Sequence, residues 1–341
     1  MTTFTFPTAS ELRAVEADKI TRLITDRPIF DLMPMSDIDT ATLVWEQRDN
    51  VLGLQQARGI GGPPLRVNNL GMKQWGVTPG YYGEFVRLDE VQLTLRRQYG
   101  SFNQPIKIDD LVMEAQDQLL ERRLDRVEFT GWTLFTTGTF NSLGPSGQVM
   151  HTDSYTFQTF TAGVAWTTPA TSAPLANLRT IQLLSRGHSV SFGRKAVLYI
   201  NRVTSNALLA NTNSADLFGR RTAGLGTFEN LGQINDLLLG EDLPEIRIYD
   251  EGYLRESDGA FVPFIANNKG VLIGRRSSGV AIGQYQMTRN ANNADLAPGA
   301  YMKVVDSLET SQPVPRTIDV HDGHNGGPAI FYPNAVVQCT F

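Results

Sequence analysis

A glycine- and proline-rich hairpin arm precedes one long charged helix, and this pair constrains the fold more than any other feature. Residues 38–52 are rich in β-branched and aromatic side chains and predict an outgoing strand, and residues 65–75 predict its return. The connection between them contains glycines that give the backbone freedom and two prolines that stiffen the start of the return strand: Gly53, Gly59, Gly61, Gly62, Pro63 and Pro64. A lone two-stranded hairpin is marginally stable in water. We therefore expect a protein that completes its structure against copies of itself.

The long helix is predicted from Ile108 to about residue 130. Its apolar residues recur at helical spacing along one stripe: Ile108, Val112, Ala115, Leu119, Leu120, Leu124 and Val127. Asp109 is the expected N-cap, and acids lie early and arginines late, as the helix dipole favours. At about 1.5 Å per residue, this helix forms a strut of roughly 30 Å.

The remaining segments predict an α+β fold. Residues 86–95 alternate like a strand with a bulge, and residues 132–140 and 154–160 predict a second hairpin. A proline- and threonine-rich stretch then indicates a domain boundary, after which residues 170–285 mix helices and strands as a compact α+β domain. Residues 300–341 return to extended strands that are expected to rejoin the first domain.

The composition excludes several classes of protein. A net charge of −5 and a pI near 5.5 argue against a basic surface that grips nucleic acid. The single cysteine, Cys339, excludes an intrachain disulfide, and its alternating surroundings predict a buried strand position. The N-terminus lacks the pattern of a secretory signal, and no apolar run approaches the ~18 residues of a membrane span. We therefore expect synthesis in the cytoplasm and no membrane partner.

The strongest candidate for chemistry is a cluster near the C-terminus: Asp319, His321, Asp322 and His324. Two imidazoles and two carboxylates this close could hold zinc or another divalent ion. The neighbouring glycines and Pro328 instead predict a solvated loop, since turns select the same Asp, Asn and Gly residues. Phosphate-loop and serine-hydrolase motifs are absent from the sequence. We therefore predict no catalytic residue, no metal site and no cofactor.

The order of elements and several short motifs resemble those of a known protein family. The most specific matching residues are Thr78-Pro79-Gly80-Tyr81 and Leu93-Thr94-Leu95-Arg96-Arg97, followed by the charged helix. The strands at 198–201 and 270–274 and the tail at 332–338 agree as well. Together they resemble the Hong Kong 97-type fold of tailed-phage major capsid proteins, and within it the lambda-type family, major capsid protein E.

The resemblance implies a division of the chain into four parts. Residues 1–37 would form an N-terminal arm and residues 38–77 the extended hairpin arm, or E-loop. Residues 78–168 and 296–341 would form the peripheral domain with its spine helix, and residues 169–295 the axial domain at hexamer and pentamer centres.

The resemblance also implies the partners. The chain would assemble with copies of itself into an icosahedral phage head that encloses double-stranded DNA without sequence-specific binding. It would reside in the virion after synthesis in the bacterial host cytoplasm. Scaffolding and portal proteins, and a decoration protein, are the further partners expected. The residues expected to contact a neighbouring subunit are Arg48, Arg58, Ile60, Leu65, Arg66, Lys73 and Trp75.

Two rival functions remain open at this point. An encapsulin-like nanocompartment would share the fold and enclose cargo enzymes in place of a genome. A metal-dependent hydrolase using His321 and His324 is the alternative from a different class.

Overall fold

The computed structural model describes residues 9–48, 54–55, 57–63, 72–97, 100, 104, 106–143, 148–212, 230–276, 279, 281–307 and 315–341. The helices are α1 (Ala9–Leu23), α2 (Ile29–Leu32), α3 (Glu90–Leu95), α4 (Ile108–Thr137), α5 (Pro174–Leu183), α6 (Arg202–Leu209) and α7 (Leu231–Gly240). The strands are β1 (Met35–Asp37), β2 (Leu43–Arg48), β3 (Met72–Val77), β4 (Gly80–Leu88), β5 (Thr139–Leu143), β6 (Val149–Ser154), β7 (Gln158–Thr161), β8 (Val197–Ile200), β9 (Glu245–Ile248), β10 (Gly252–Leu254), β11 (Phe261–Pro263), β12 (Lys269–Ile273), β13 (Gly283–Met287), β14 (Tyr301–Asp306), β15 (Ile318–Ile330) and β16 (Val336–Thr340). This mixture confirms the predicted α+β class.

Helix α4 is the predicted strut, and it is longer than the sequence predicts. It contains 30 residues and continues through Trp132, where the sequence predicts a strand. Trp132 and Phe135 are fully buried, so packing against the core overrides the strand preference of threonine and aromatic residues. The helix ends at Gly138, whose φ of 76° is the left-handed conformation that glycine adopts easily. Its N-cap is Lys107, and Asp109 lies in the first turn instead.

The segment before α4 contains a helix where the sequence predicts a strand. Strand β4 ends at Leu88. Asp89 then caps α3, because its Oδ1 accepts a hydrogen bond of 2.9 Å from the backbone N–H of Gln92. The alternation over residues 86–95 therefore describes a strand only as far as Leu88.

The second hairpin is shorter than predicted: its first strand, β5, begins later than residue 132, and its second strand, β6, ends where the predicted strand 154–160 begins. The end of that predicted segment lies in β7, which pairs with β16 instead. Strands β5 and β6 pair antiparallel from Thr139 opposite Ser154, with an irregularity after Ser142. The extension of α4 accounts for the shift, because it takes up residues that the sequence assigns to the first strand of this hairpin.

The larger sheet is built around β15, which is 13 residues long. β4 pairs antiparallel along one side of β15, from Leu88 opposite Ile318 to Gly80 opposite Gly326. β14 and β13 pair antiparallel along the other side, and β1 pairs parallel with β13. Helix α4 packs against this sheet through a small core of seven buried residues: Leu88, Leu111, Val112, Ala115, Leu119, Ile318 and Val320.

The second sheet has the strand order β7-β16-β12-β8-β9. Its central strands β8, β12 and β16 supply much of the main core, with buried side chains that include Leu198, Ile200, Val271, Leu272, Val336 and Val337. The sheet joins strands from both sides of the boundary predicted between residues 168 and 169. Likewise, β13 belongs to the segment predicted as axial but pairs with β15. The domain bounds stay a prediction.

Candidate assembly surfaces

The base of the hairpin arm is anchored on its own subunit. β2 and β3 pair antiparallel, with Trp45 opposite Trp75. The Trp45 ring is buried and stacks on Tyr155, with ring centroids 5.8 Å apart. Gln47 Nε2 donates a hydrogen bond of 2.9 Å to the Ile330 carbonyl oxygen. A lone hairpin is marginally stable in water, and these contacts with the body stabilise the base of the arm.

The described outer part of the arm is exposed. Leu54 and Ile60 have almost their whole side chains in solvent. Arg58 Nη1 donates to the Gly62 carbonyl oxygen at 2.6 Å, and the Gly62 N–H donates to the Gly59 carbonyl oxygen at 3.0 Å. The turn is therefore closed by local bonds that leave its apolar side chains free to contact a partner.

The seven residues predicted to contact a neighbour fall into different environments. Arg58, Ile60 and Lys73 are exposed. Trp75 is only partly exposed and packs against the core. Arg48 is the last residue of β2, whereas Leu65 and Arg66 lie outside the described residues. Their contacts with a neighbour stay a prediction.

Ion pairs attach the N-terminal segment to α4, and sequence reasoning missed them. Lys19 pairs with Asp117, and Arg27 Nη1 lies 2.7 Å from Asp125 Oδ1 and 3.1 Å from Glu128 Oε2. The partners lie 98 to 101 residues apart in the chain, so no local motif signals the contacts. The N-terminal segment therefore packs on its own subunit in this structure.

Arg123 is a deeply buried charge of this contact. Its side chain is 3% exposed and pairs with Glu16 and with Asp322, where Nη1 lies 2.7 Å from Oδ1. Burial raises the pKa of Asp322 to about 6, although the positive charge of Arg123 acts to lower it. Burial also lowers the pKa of Arg123. These three charges join α1, α4 and β15, at the cost of removing them from water.

Glu128 is a second buried charge, at the junction of α4 with the second sheet. It accepts hydrogen bonds from the Tyr249 hydroxyl and from Trp132 Nε1, the latter at 3.2 Å, and it pairs with Arg27. Burial raises the pKa of Glu128, while its hydrogen bonds and Arg27 act to lower it. Three separate segments of the chain meet at this one carboxylate.

His321 and His324 lie in a strand, whereas the sequence predicts a loop at these residues. Both residues belong to β15. The glycines of this strand let the neighbouring strands pack closely: a Cβ on Gly323 would lie 2.5 Å from the Tyr82 carbonyl oxygen. Residues three apart in a strand point to opposite faces, so His321 and His324 do not converge on one ion. His321 stacks on Phe85, with centroids 5.3 Å apart.

His324 is fully enclosed. Its Nε2 lies 3.0 Å from the Tyr285 hydroxyl, and its ring stacks on Tyr82. Burial lowers the pKa of His324 to about 3, helped by the nearby cations Arg123 and Arg126. The ring is therefore neutral at pH 7 and serves packing.

The remaining candidates for chemistry are Cys339 and possible metal ligands, and neither forms a reactive site in the described residues. Cys339 is buried in β16, as predicted, and burial raises the pKa of its thiol to about 12. Within the described ranges, no group of three or more His, Cys, Asp or Glu side chains could hold a metal ion. None of the helices searched in those ranges is long and apolar enough to cross a membrane.

Comparison with solved structures shows the fold. The chain is similar to a protein described as a prophage capsid protein of Escherichia coli CFT073, at 15% identity, with a TM-score of 0.54 and coverage of 79% of each chain. It is similar to a phage-related protein of Bordetella bronchiseptica RB50, at 9% identity, with a TM-score of 0.52 and coverage of 92% of this chain and 91% of that chain. The capsid protein of Myoviridae phage XM1 matches at 11% identity, with a TM-score of 0.50 and coverage of 100% and 94%.

Comparison with sequences shows the family. Among curated proteins, no sequence matches this chain. The family model described as phage major capsid protein E matches residues 17–285, from within α1 to within β13. The chain therefore belongs to the phage major capsid protein E family, and its fold is the Hong Kong 97-like fold of tailed-phage capsids.

Proposed function

We propose that this chain is the major capsid protein of a tailed double-stranded DNA phage and assembles as hexamers and pentamers into the icosahedral head. The observation that carries the proposal is the family match over residues 17–285. The exposed outer arm supports it, because Leu54 and Ile60 are apolar side chains that a single subunit leaves in solvent. A closed assembly of copies would cover such surfaces without leaving any unpaired.

The parts of the subunit receive roles within this proposal. Residues 1–37 form the N-terminal arm, and residues 38–77 form the E-loop that contacts a neighbour through the seven residues named from the sequence. Residues 78–168 and 296–341 form the peripheral domain around α4, and residues 169–295 form the axial domain at the centres of hexamers and pentamers. The chain acts as a structural subunit and catalyses no reaction.

The proposal extends to the contents and partners of the shell. The net charge of −5 suits a shell that encloses DNA without binding its phosphates tightly. Scaffolding and portal proteins direct assembly, a decoration protein is a further candidate, and the mature protein resides in the virion. Synthesis takes place in the cytoplasm of the bacterial host.

Expression of the chain in bacteria, followed by gradient sedimentation and negative-stain microscopy, tests this function. We expect fast-sedimenting rings or closed shells. Shells that consistently enclose one enzyme would favour the encapsulin-like alternative. A protein that stays monomeric at every concentration would contradict a capsid role.

A further inference from the structure

Acidic residues are unevenly distributed along this chain. Residues 154–215 contain five bases and no acid, and residues 259–294 contain four bases and no acid. The chain as a whole has more acids than bases, 35 against 30, so both stretches depart from its average. Two long segments of the chain therefore carry only positive charge.

The fold brings these two segments together in the second sheet. β8 of the first segment pairs antiparallel with β12 of the second, and Val197 lies opposite Ile273 at one end of the ladder. Beyond this pair, Ser191 and Arg275 exchange two backbone hydrogen bonds, of 3.0 and 2.9 Å. The turn at residues 185–195 therefore lies beside Arg275, at the end of the sheet where β8 begins and β12 ends.

Four exposed cations lie at this end of the sheet, and we call them the basic patch: Arg186, Arg194, Lys195 and Arg275. Within the described ranges, none of the four belongs to an ion pair. Other arginines of the two segments do pair with acids, as Arg179 does with Glu241 at 2.7 Å. The basic patch is therefore left with positive charge that its own subunit does not pair.

Three acids at the same end of the sheet do not neutralise the basic patch. They lie between the end of α7 and the start of β9, where Glu245 is opposite Val197 of β8. Glu241 and Glu245 each pair with an arginine outside the patch. Asp242 Oδ1 accepts a hydrogen bond of 3.2 Å from the backbone N–H of Arg194. The four cations thus outnumber the one acid here that lies outside the ion pairs of the described residues.

The chemistry of the turn favours phosphate as the partner of the basic patch. Among the described residues, no exposed large apolar side chain lies between residues 185 and 195, where Val190 and Phe192 are buried. The rest of the turn is made of serines, glycines, one histidine and the cations. Protein interfaces usually have an apolar centre, whereas contacts with a phosphate backbone come from Arg, Lys, Ser and backbone N–H groups. The composition of the turn matches the second kind of contact.

We propose that the basic patch contacts the phosphate backbone of the DNA inside the shell, without regard to its sequence. The proposal rests on the shell function proposed above and names the part of the subunit that meets the genome. The whole chain carries a charge of −5, so the contact is local and weak, and many copies in one shell supply it together. Four phosphate contacts predict a slope of about −3 to −4 in a plot of log K against log salt concentration.

Binding of duplex DNA to the full chain, kept dissociated, tests the basic patch. A labelled duplex of about 30 base pairs is titrated with the protein at several salt concentrations below about 0.1 M, and fluorescence anisotropy is measured. We expect binding that weakens with salt along the slope given above. No detectable binding at about 25 mM salt would overturn the proposal.

Removal of two cations tests whether the patch is the binding site. The double variant Arg194→Gln, Lys195→Gln changes exposed side chains, and its circular dichroism should match that of the unmodified chain. We expect its affinity for the duplex to fall at least about tenfold and its salt slope to become shallower by about two. The matched control is Lys107→Gln, Lys303→Gln, two exposed cations outside the patch, with an expected change below about twofold. Equal losses from the two double variants would disprove the patch as the site.

Amine labelling locates the contact on the unmodified chain. An N-hydroxysuccinimide ester is applied with and without the duplex, and the modification of each lysine is measured by mass spectrometry. We expect the duplex to lower the labelling of Lys195 at least about threefold and to leave Lys303 of β14 unchanged. The same difference is expected between DNA-filled and empty closed shells. Equal labelling of Lys195 in filled and empty shells would contradict a contact with the enclosed DNA.

A polyglutamate competitor distinguishes DNA from an acidic protein as the partner. Duplex DNA has a higher charge density and releases condensed counterions when cations bind its phosphates. We therefore expect polyglutamate to displace the duplex at least about tenfold less effectively than unlabelled duplex of the same total charge. Equal or stronger displacement by polyglutamate would favour an acidic protein segment and overturn the assignment to DNA.

The outcomes separate this inference from the proposed function. Normal shells from the unmodified chain, together with no duplex binding and no protection of Lys195, would leave the capsid role intact and disprove the basic patch as a DNA contact. A chain that binds the duplex through the patch but forms neither rings nor shells would contradict the proposed function while supporting the phosphate contact.

Discussion

At the scale of single residues, Arg123 is a buried charge that joins three separate elements. Its side chain is 3% exposed and pairs with Glu16 and Asp322. Arg123→Ala leaves the buried Asp322 carboxylate without its cation, so we expect a loss of about 3–5 kcal/mol in the free energy of unfolding. Denaturant unfolding of the unassembled subunit measures the change.

The neighbouring Arg122 provides a matched control for this prediction. It pairs with Glu84, but its side chain is 43% exposed, so solvent screens the pair. Arg122→Ala is expected to cost no more than about 1 kcal/mol. Equal losses from the two substitutions would contradict the account of burial at Arg123.

His324 makes stability depend on pH. The unfolded chain binds a proton on this ring below about pH 6.5, whereas burial lowers the pKa in the fold to about 3. Stability contributed by the neutral ring above pH 6.5 is therefore lost as the pH falls towards 3. Asp322 acts in the opposite sense: its pKa is raised to about 6, so its contribution is present below its unfolded pKa of about 3.9 and is lost as the pH rises through 6.

Substitution of the ring isolates its contribution. His324→Gln removes the titrating group, so the unmodified subunit should lose stability relative to this variant on acidification from about pH 6 to pH 4. Urea unfolding of both proteins across this range measures the difference. Parallel curves of stability against pH would contradict a buried neutral His324.

The sequence predicted some of these residues and missed others for physical reasons. The alternation around Cys339 correctly indicates a buried strand position, because period-two patterns are local. The glycines near His324 predict a loop, whereas in the fold they let adjacent strands approach closely. The pairs of Arg123 depend on the tertiary fold, and no local signal exists for them.

At the scale of elements, Gly138 determines where α4 ends. Its φ is 76°, and a Cβ there would lie 3.0 Å from the Tyr155 carbonyl oxygen. Gly138→Ala is therefore expected to lower the free energy of unfolding by about 1–2 kcal/mol. Gly163→Ala is the matched control, since open space surrounds that position, and its change should stay within about 0.5 kcal/mol. Thermal unfolding compares them, and an unchanged Gly138→Ala protein would refute the assignment.

The hairpin arm is the element whose removal separates folding from assembly. Its base is anchored by Trp45 and Gln47, outside residues 53–64. Deletion of residues 53–64 is therefore expected to leave a soluble folded subunit with nearly unchanged circular dichroism that fails to form stable shells. Closed particles of normal yield from the deletion variant would contradict the role of the arm.

The elements also show how far local patterns reach. The apolar stripe predicts the start of α4 correctly, but its end depends on the burial of Trp132 and Phe135 in a core that forms only in the fold. The sequence does not predict helix α3, because the alternation over residues 86–95 favours a strand. In the fold, Asp89 caps a helix that begins at Glu90. Capping thus determines the start of α3 and burial the end of α4, and the periodicity of the sequence predicts neither boundary.

At the scale of the whole molecule, the order of elements carried more information than any single motif. Arm, long helix, second hairpin, α+β segment and returning strands were predicted in the correct order, and the family match supports the resulting assignment. The pairing of β16 with β12 and of β13 with β15 joins distant segments. Such ladders depend on tertiary contacts, so a division into linear domains could not foresee them.

We infer that this subunit completes its structure in a closed shell of identical copies. Cryo-electron microscopy of particles from cells that express the chain tests it most directly. We predict closed shells with rings of six and five subunits, in which the arm of each subunit crosses to its neighbour. Particles in which every arm folds back on its own subunit, or preparations that contain only monomers, would contradict the account.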